Sequence, residues 1–283
     1  MERLFKPKIV SEILKKYGFR FTKSLGQNFL IDGNIVRKIA DTAGIDENSN
    51  VLEIGPGIGT LTEEMALRGA NILSVEIDEN LKEIHKETLN YDNVEVVFQD
   101  FLKMDLEILK EHFKDKPIKV VANLPYYVTT PILTKLLEYE GNIESITVMV
   151  QKEVADRFTA KVGTKDYGSL TVFINYYADA KYEFSVPKTV FMPKPRVDSG
   201  VVKFKLKNKR EEIDKEKMFR IVRASFSKRR KTILNALSTY GFNLDKVQIK
   251  EALSLSGIDP ERRGETLSPE EFMVLAINFP DWR

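Results

Sequence analysis

The sequence predicts an α/β fold, with a doubly wound domain built on a parallel sheet and a small all-α domain after it. Between residues 51 and 151, short apolar runs alternate with helical patterns, as is typical of parallel strands joined by helical crossovers. The predicted strands are 51–55, 71–77, 94–98, 118–126 and 145–151. Beyond about residue 211 the pattern is helical. In such a sheet, ligands bind at the carboxyl ends of the strands.

Helix signals lie ahead of the sheet and within it. Residues 8–16 predict a short basic helix, and residues 35–44 predict a second helix. Thr60 and Glu63 have the spacing of a capping box, so we expect the next helix to begin at about Leu61. The first crossover helix would therefore follow the first predicted strand closely.

The second half of the chain suggests where the domains divide. Two further strand candidates, 170–177 and 200–206, are separated by the Pro-rich segment VFMPKPRVDS. A charged run, KLKNKREE, follows the second candidate and is typical of a linker. We therefore predict a larger domain over residues 1–207, whose residues 1–22 are a basic extension, and a helical domain over residues 208–283.

Composition excludes several kinds of chemistry. The 283 residues contain no cysteine, which rules out disulfides, thiolate metal sites and cysteine nucleophiles. The two histidines, His85 and His112, are too few for a multi-histidine metal site, and we expect no metal. No run of about 18 apolar residues occurs, and residues 1–10 lack the apolar core of a signal peptide. We expect a soluble, cytoplasmic protein.

The net charge of +2 conceals an uneven distribution. Residues 203–231 contain thirteen Lys and Arg against four Asp and Glu, a charge of +9. Residues 1–27 contain seven against two, a charge of +5, which leaves −12 for the rest of the chain. Two basic segments on an acidic body are typical of a nucleic-acid-binding protein, although a solvated lysine-rich surface has the same composition.

A glycine-rich loop follows the first predicted strand. The sequence GPGIG at 55–59 allows a sharp turn and close approach of a ligand. Glu53 precedes the loop, and Glu76 ends the next strand, where a carboxylate can accept hydrogen bonds from two ribose hydroxyls. Asp100, after the third strand, can meet an adenine amino group. The alternative, a dinucleotide-binding loop, favours G-x-G-x-x-G, but position 60 is threonine.

The segment Asn123-Leu124-Pro125-Tyr126 follows the fourth predicted strand and suggests an acceptor site for an amino group. An aromatic amine is a poor nucleophile because its lone pair is delocalised into the ring. The Asn123 side-chain oxygen and the Leu124 carbonyl can hold its hydrogens and make the lone pair available. Pro125 would fix the turn, and Tyr126 would stack on the base. By itself, the pattern also fits a polar strand exit with a packed tyrosine.

Together these patterns resemble class I S-adenosylmethionine (SAM)-dependent methyltransferases, and the acceptor segment resembles the N-[ILVP]-P-[YF] motif of N6-adenine methyltransferases. The resemblance implies a mostly parallel seven-stranded sheet and SAM as methyl donor. It places Glu53 and Gly55 at the methionine end, Glu76 at the ribose, and Asp100 with Phe101 at the adenine. The full set of implied cofactor-binding residues is Gln27, Asn28, Leu30, Glu53, Gly55, Gly57, Glu76, Ile77, Asp100, Phe101 and Asn123.

Three further segments narrow the resemblance to the ribosomal RNA adenine N6,N6-dimethyltransferases, with the bacterial 16S rRNA (kasugamycin-resistance) type as the most similar branch. They are S-L-G-Q-N-F-L at 24–30, F-x-P-x-P-x-V-x-S at 191–199 and R-x-x-F-x-x-R-R-K at 223–231. The resemblance adds Phe191 as a second aromatic wall for the target adenine, opposite Tyr126. It implies RNA-binding residues Arg223, Lys228, Arg229, Arg230 and Lys231 in the C-terminal domain.

The activity implied by this resemblance is dimethylation of two adjacent adenosines near the 3′ end of 16S rRNA, with a role in small-subunit biogenesis and a monomeric enzyme. One alternative is a 23S rRNA methyltransferase of the erythromycin-resistance type, which shares the N-terminal motifs. A second is an assembly factor without catalysis, although Asn123, Tyr126, Glu76 and Gly55 are all present. A third, DNA adenine methylation, shares the acceptor chemistry but not the segments at 191–199 and 223–231.

Overall fold

The structure is a computed structural model of the 283-residue chain. It describes residues 3–22, 25–125, 128–207 and 213–282. The chain divides into two compact units, the first comprising Met1–Ala155 with Ala180–Leu206, and the second Asp156–Asp179 with Lys207–Arg283.

The strands form a seven-stranded sheet and a small two-stranded one. Their bounds are β1 (Phe29–Leu30), β2 (Asn50–Ile54), β3 (Asn71–Glu76), β4 (Val94–Phe98), β5 (Ile118–Asn123), β6 (Ile143–Gln151), β7 (Ala178–Val186), β8 (Phe191–Met192) and β9 (Ser199–Leu206). The large sheet has the order β4-β3-β2-β5-β6-β9-β7, in which β2 to β6 pair in parallel and β9 runs antiparallel to β6. This confirms the predicted fold class. The strand order reverses between β2 and β5, the position at which open α/β sheets bind ligands.

The helices of the described residues are α1 (Pro7–Lys16), α2 (Gly33–Ala43), α3 (Thr60–Leu67), α4 (Lys82–Thr88), α5 (Ile108–Phe113), α6 (Thr129–Glu138), α7 (Lys152–Phe158), α8 (Ser169–Tyr177), α9 (Lys215–Phe226), α10 (Ile233–Ser238), α11 (Lys246–Leu255) and α12 (Pro269–Asn278). Local signals set several ends. Asp32 caps α2 by accepting from the backbone N–H groups of Asn34 and Ile35, and Gly44 ends it in the left-handed region at φ 71°.

The basic N-terminal segment is part of the fold of the first unit. Its predicted helix is α1, whose buried residues Val10, Ile13 and Leu14 belong to a core cluster with Phe29 and Ile58. Farther along, Lys16 and Tyr17 both donate to the Glu87 carboxylate at 2.6 Å. The sequence predicts a basic extension because the charge of this segment is evident from the sequence, whereas the burial of its apolar face depends on the fold.

One expected helix cap is wrong. Gly59, not Thr60, is the N-cap of α3, at φ 94°, and Thr60 is already inside the helix. The Thr60 hydroxyl is buried and has no hydrogen-bond partner among the described residues. Glu63 instead accepts from the backbone N–H of Leu4 and the side chain of Arg3, both at 3.0 Å. Glu63 therefore binds the N-terminal segment and takes no part in a cap of α3.

The strand expected at 170–177 is also wrong, because these residues form α8. The run is short and mostly apolar, and such a run does not distinguish a strand from a buried helix. Its aromatic side chains pack against Phe219 of α9, with ring centroids 5.0 Å away for Phe173 and 5.6 Å for Tyr176. This packing groups residues 156–179 with the C-terminal helices. The single predicted boundary at 207/208 therefore corresponds to only one of the crossings between the two units.

Candidate active site

A cavity opens in the first unit at the carboxyl ends of β2, β3 and β5. Its empty volume is about 1200 Å³, a figure that includes the solvent-filled open mouth. All the residues that line it come from the first unit. They include residues 55–58 of the glycine loop, Glu53, Glu76, residues 99–102 of the adenine loop (99–104), the acceptor turn Asn123–Pro125, and Phe191.

The glycine loop, residues 55–59, is fixed by hydrogen bonds to its backbone. The Gly55 N–H donates to the Val75 carbonyl at 2.9 Å, and the Gly57 N–H donates to Glu76 Oε2 at 3.1 Å. Gly57 is in the left-handed region at φ 59°, and a Cβ there would lie 3.0 Å from the ring of Phe29. A residue with a side chain at this position would meet both a strained backbone and the aromatic ring.

His85 of α4 holds the same loop from the other side. Its Nε2 donates to the Gly57 carbonyl at 2.6 Å, which assigns the proton to Nε2. Its Nδ1 is buried without a hydrogen-bond partner among the described residues. Burial lowers the pKa of His85, so the ring is neutral at pH 7. Gly57 is therefore bound through its N–H to Glu76 and through its carbonyl to His85.

Glu76, at the end of β3, accepts three backbone hydrogen bonds. Its Oε2 accepts from Gly57, and its Oε1 accepts from the N–H groups of Ile77 and Asp78, both at 2.8 Å. Burial raises the pKa of Glu76, while these N–H donors act in the opposite direction. The carboxylate is thus held in one orientation, with one of its roughly four lone-pair sites left for a hydroxyl donor. Ile77 beside it is 50% exposed and lines the cavity.

Glu53 lies deeper, on β2. Its Oε2 accepts from the hydroxyls of Thr62 at 2.6 Å and Ser74 at 2.7 Å. Burial raises the pKa of Glu53 to about 7, and the two hydroxyls partly oppose this effect. The group can therefore exchange a proton near neutral pH, and its charge responds to a cation placed in the cavity.

The adenine loop, residues 99–104, forms a compact turn after β4. Asp100 Oδ1 accepts from the Leu102 N–H at 2.9 Å, and the Asp100 carbonyl accepts from the Met104 N–H at 3.1 Å. Phe101 is buried. Lys135 of α6 donates to the carbonyls of Phe101, Leu102 and Met104. The loop is thus fixed both by its own turn and by a cation from a neighbouring helix.

The segment 25–30 also lines the cavity, and the side chains of Gln27 and Asn28 form hydrogen bonds within the protein. Gln27 Oε1 accepts from the Thr22 N–H at 3.0 Å, and its Nε2 donates to Asp78 Oδ2 at 2.6 Å. The side chain of Gln27 therefore joins the N-terminal segment to the turn after β3. Asn28 Nδ2 donates to the Gly26 carbonyl at 2.8 Å. Leu30 is buried in β1.

The acceptor turn, Asn123–Pro125, leaves two acceptors free of internal bonds. Asn123 Nδ2 donates to the Asn28 carbonyl at 3.2 Å, which directs the amide and leaves Oδ1 without a hydrogen bond among those of the described residues. The Leu124 N–H donates to the Met149 carbonyl at 3.1 Å, and the Leu124 carbonyl has no recorded donor within the described ranges. These are the two oxygens that the sequence assigned to the amino group.

Phe191 is brought to this site by the small sheet. In β8 it pairs with Leu30 of β1, and both residues are buried. Phe191 and the acceptor turn therefore line one cavity, as the resemblance implied. The second predicted aromatic wall, Tyr126, lies outside the described residues.

The predicted RNA-binding residues lie in the second unit. Arg223 is on α9, and the other four, Lys228, Arg229, Arg230 and Lys231, are in the turn before α10; all five are exposed. Arg229 donates to the Lys165 carbonyl at 2.7 Å, and Lys228 donates to the Thr239 hydroxyl at 2.9 Å. The residues form an exposed cationic segment, and two of its side chains are hydrogen-bonded within their own unit.

Sequence reasoning missed several residues that hold loops and helix ends in place, some at the cavity and one in the second unit. His85 and Lys135 bind backbone carbonyls, an interaction that depends on the fold and has no sequence motif. Arg262, for which the sequence suggested no role, donates to both carboxylate oxygens of Glu271 and to the Thr266 carbonyl, so it clamps the start of α12.

The residues present fit the expected cofactor. The fixed carboxylate of Glu76 has a remaining lone-pair site that suits a ribose hydroxyl, the turn at Asp100 suits an adenine, and the glycine loop permits close approach of the cofactor's chain. Glu53, buried and able to ionise near pH 7, can respond to a cationic amine.

Among the described residues, no helix is both long and apolar enough to span a membrane.

Comparison with known proteins identifies the family. The ribosomal RNA adenine dimethylase family matches the chain over residues 18–279. Ribosomal RNA small subunit methyltransferase A of Alkaliphilus oremlandii is 50% identical over 282 residues, 98% of each chain. The crystal structure of a dimethyladenosine transferase from Plasmodium falciparum has a TM-score of 0.72 at 26% identity and covers 87% of this chain and 95% of its own. That of the 23S rRNA methyltransferase ErmE has a TM-score of 0.69 at 27% identity, covering 89% and 99%. The chain therefore belongs to the ribosomal RNA adenine dimethylase family of SAM-dependent methyltransferases.

Proposed function

We propose that this enzyme dimethylates the N6 amino groups of two adjacent adenosines near the 3′ end of 16S rRNA in the small ribosomal subunit. The observation that carries the proposal is the acceptor turn, where Asn123 is held through Nδ2 while Oδ1 and the Leu124 carbonyl remain as acceptors. The turn lines the same cavity as Glu76 and the glycine loop. Family membership and the small-subunit name of the 50% identical relative support the substrate.

SAM, when bound, supplies an electrophilic methyl group. The chain holds it through Glu76 at the ribose, Asp100 and Phe101 at the adenine, and Gly55 and Gly57 along the loop. The contribution of this half of the cavity is binding and orientation. Binding and orienting the cofactor do not require any of these groups to move a proton.

On the acceptor side, Asn123 Oδ1 and the Leu124 carbonyl accept the two amino hydrogens of the target adenine. They hold its nitrogen with the lone pair available, and Pro125 keeps the turn rigid. Phe191, with Tyr126 opposite, stacks on the unpaired base. The nitrogen gains a methyl group and becomes acidic, so its proton passes to solvent without a strong general base. After the first transfer, one hydrogen remains for one acceptor.

RNA recognition is assigned to the cationic segment of Arg223 and Lys228–Lys231. Its exposed side chains can neutralise phosphates, and shape and stacking would guide the base into the cavity. The small subunit is favoured over 23S rRNA because the relative named for the small subunit is 50% identical, whereas the 23S enzyme is 27% identical. We further propose that the enzyme acts as a cytoplasmic monomer and that it also assists subunit assembly.

The test is methylation of defined substrates. The enzyme is incubated with SAM carrying a labelled methyl group and small subunits from a methylation-deficient cell, and the RNA is digested to nucleosides. We expect label in N6,N6-dimethyladenosine. Label only in a 23S rRNA fragment would indicate the erythromycin-resistance type, and label only in duplex DNA would indicate a DNA enzyme.

Absence of transfer to all three, together with normal binding of the small subunit, would favour a purely structural role in assembly. Asn123→Ala separates the two roles in an active enzyme. It should slow methyl transfer by roughly 10²- to 10³-fold and leave binding of the small subunit unchanged.

A further inference from the structure

Helix α6 contacts both ends of the cavity. Its first residue, Thr129, is four positions after Pro125 of the acceptor turn and donates from its buried hydroxyl to the Pro125 carbonyl at 3.0 Å. The Val128 N–H donates to the same carbonyl at 3.3 Å. The amino-terminal end of α6 is therefore tied to the acceptor turn.

Lys135, six residues later, ties the same helix to the adenine loop. Its Nζ donates to the carbonyls of Phe101 at 3.0 Å, Leu102 at 2.9 Å and Met104. An ammonium group has three hydrogens, and all three are used on one loop. The Nζ also lies 5.4 Å from the centroid of the Phe101 ring.

These bonds explain how an irregular loop keeps one conformation. Three carbonyls that point towards one another repel, and a cation at their focus removes that repulsion and replaces water. The loop orients Asp100, whose Oδ1 is fixed on the Leu102 N–H while Oδ2 has its nearest cation, Lys103, 3.9 Å away. Loss of the ammonium would therefore disturb the group that reads the adenine amino group.

We propose that Lys135 is a positioning residue for cofactor recognition, and that α6 is the rigid support that sets the adenine loop relative to the acceptor turn. The six-residue separation of Thr129 and Lys135 corresponds to about 9 Å along a helix. The inference rests on the proposed function, since it assigns the loop to the cofactor's adenine. Lys135 itself touches neither reacting atom and acts through the loop backbone.

The experiment measures binding without RNA. Calorimetric titrations compare S-adenosylhomocysteine with S-inosylhomocysteine, which carries an oxygen in place of the adenine amino group. We expect Lys135→Met to bind S-adenosylhomocysteine about tenfold more weakly, as for loss of a charged hydrogen-bond donor, and to discriminate less between the two ligands. The matched control is Lys110→Met, an exposed lysine bonded to Glu107, which should behave as wild type.

A second variant on the same helix separates positioning from general loosening. Thr129→Val removes the bond to Pro125 at the other end of α6 and keeps the side-chain shape. It should leave affinity for S-adenosylhomocysteine within about twofold. Where Lys135→Met does not fold, as shown by circular dichroism, Lys135→Gln retains one donor and takes its place. In methylation assays Lys135→Met should raise KM for SAM with little change in kcat.

The proposal is overturned if Lys135→Met matches Lys110→Met in affinity and discrimination, or if Thr129→Val weakens binding as much as Lys135→Met does. A wild-type enzyme that methylates no small subunit would refute the proposed function. The binding comparison would still decide the role of Lys135 in that case.

Discussion

The two halves of the cavity differ in how far the chain satisfies its own polar groups. In the cofactor half, formed by the glycine loop, Glu76 and the adenine loop, Glu76 already accepts three backbone hydrogen bonds and Gly57 is bound at both its N–H and its carbonyl. In the acceptor half, formed by the acceptor turn and Phe191, Asn123 uses only its Nδ2 internally. The first half is fixed by internal bonds, whereas the second leaves Asn123 Oδ1 and the Leu124 carbonyl without a donor among the described residues.

This difference matches the two tasks. A cofactor that must bind in one orientation for every turnover benefits from a site whose shape is set before binding, because less ordering is needed. The acceptor half must instead present unused oxygens to an amino group, and a partner inside the protein would compete with the base. Changes in the cofactor half should therefore alter the affinity for SAM and the free energy of unfolding. Changes in the acceptor half should alter the rate of methyl transfer.

The largest effect is expected at Asn123. Asn123→Ala removes one of two acceptors that hold the amino group, and we predict a fall in kcat of roughly 10²- to 10³-fold, as for loss of one donor in other polarising sites. Affinity for SAM should change less than about twofold. Single-turnover methylation and calorimetry on the same preparation check both. An equal loss of binding and rate would break the distinction between the halves.

The next effect concerns Glu53 and pH. Its pKa in the folded chain, about 7, exceeds the ordinary 4.5, so the folded protein keeps a proton that the unfolded chain has released. The contribution of Glu53 to the free energy of unfolding is therefore fully present below pH 4.5 and is lost as the pH rises through about 7. At about 1.4 kcal/mol per pH unit, this corresponds to about 3 kcal/mol.

The Glu53→Gln variant should remove this loss, so its stability relative to wild type should rise between pH 5 and pH 8. Urea denaturation without cofactor measures the difference. Glu144→Gln, an exposed residue of β6, is the control and should show no such trend. A flat difference for Glu53→Gln would mean that the buried carboxyl is not protonated in the folded state.

A smaller effect is expected at Glu76. Glu76→Gln keeps the shape but exchanges a carboxylate oxygen for an amide nitrogen, which cannot accept from a backbone N–H or a ribose hydroxyl. We predict SAM binding that is about 10- to 100-fold weaker. Glu79→Gln makes the same change at a nearby exposed position and should bind normally. Unchanged binding by Glu76→Gln would remove the carboxylate from the cofactor site.

The smallest effect tests the second tether of Gly57. His85→Leu removes the bond to the Gly57 carbonyl and should weaken SAM binding about fivefold, whereas His85→Gln, which keeps a donor at a similar reach, should stay within about twofold. Thermal stability should not fall much, because the change also removes a buried Nδ1 without a described partner. Equal affinities for the two variants would show that the tether does not affect the loop.

Much of this site was predictable because its chemistry is tied to strand ends. Short apolar runs located β2 to β6 closely, with β4 at the predicted 94–98. The carboxyl ends of parallel strands share one edge, so the glycine loop, Glu76 and Asn123 were expected to meet. The structure places them around one cavity, while their individual roles stay predictions.

The remaining features depend on tertiary packing. The run 170–177 is a helix because its aromatic residues are buried against α9, which no local pattern records. The resemblance implies that Gln27 binds the cofactor, but its side-chain oxygen already accepts from Thr22 and its side-chain nitrogen already donates to Asp78. Lys135 acts on carbonyls more than thirty residues away, so only the fold reveals it.

The central claim, that the cofactor half is built before the cofactor binds, is tested most directly by amide hydrogen exchange of Gly57, Ile77 and Asp78, followed by NMR in the free protein. All three N–H groups donate to Glu76, so we predict protection without ligand and little further gain when S-adenosylhomocysteine is added. Exchange as fast as in an unfolded chain, with protection that develops only on ligand binding, would contradict the account.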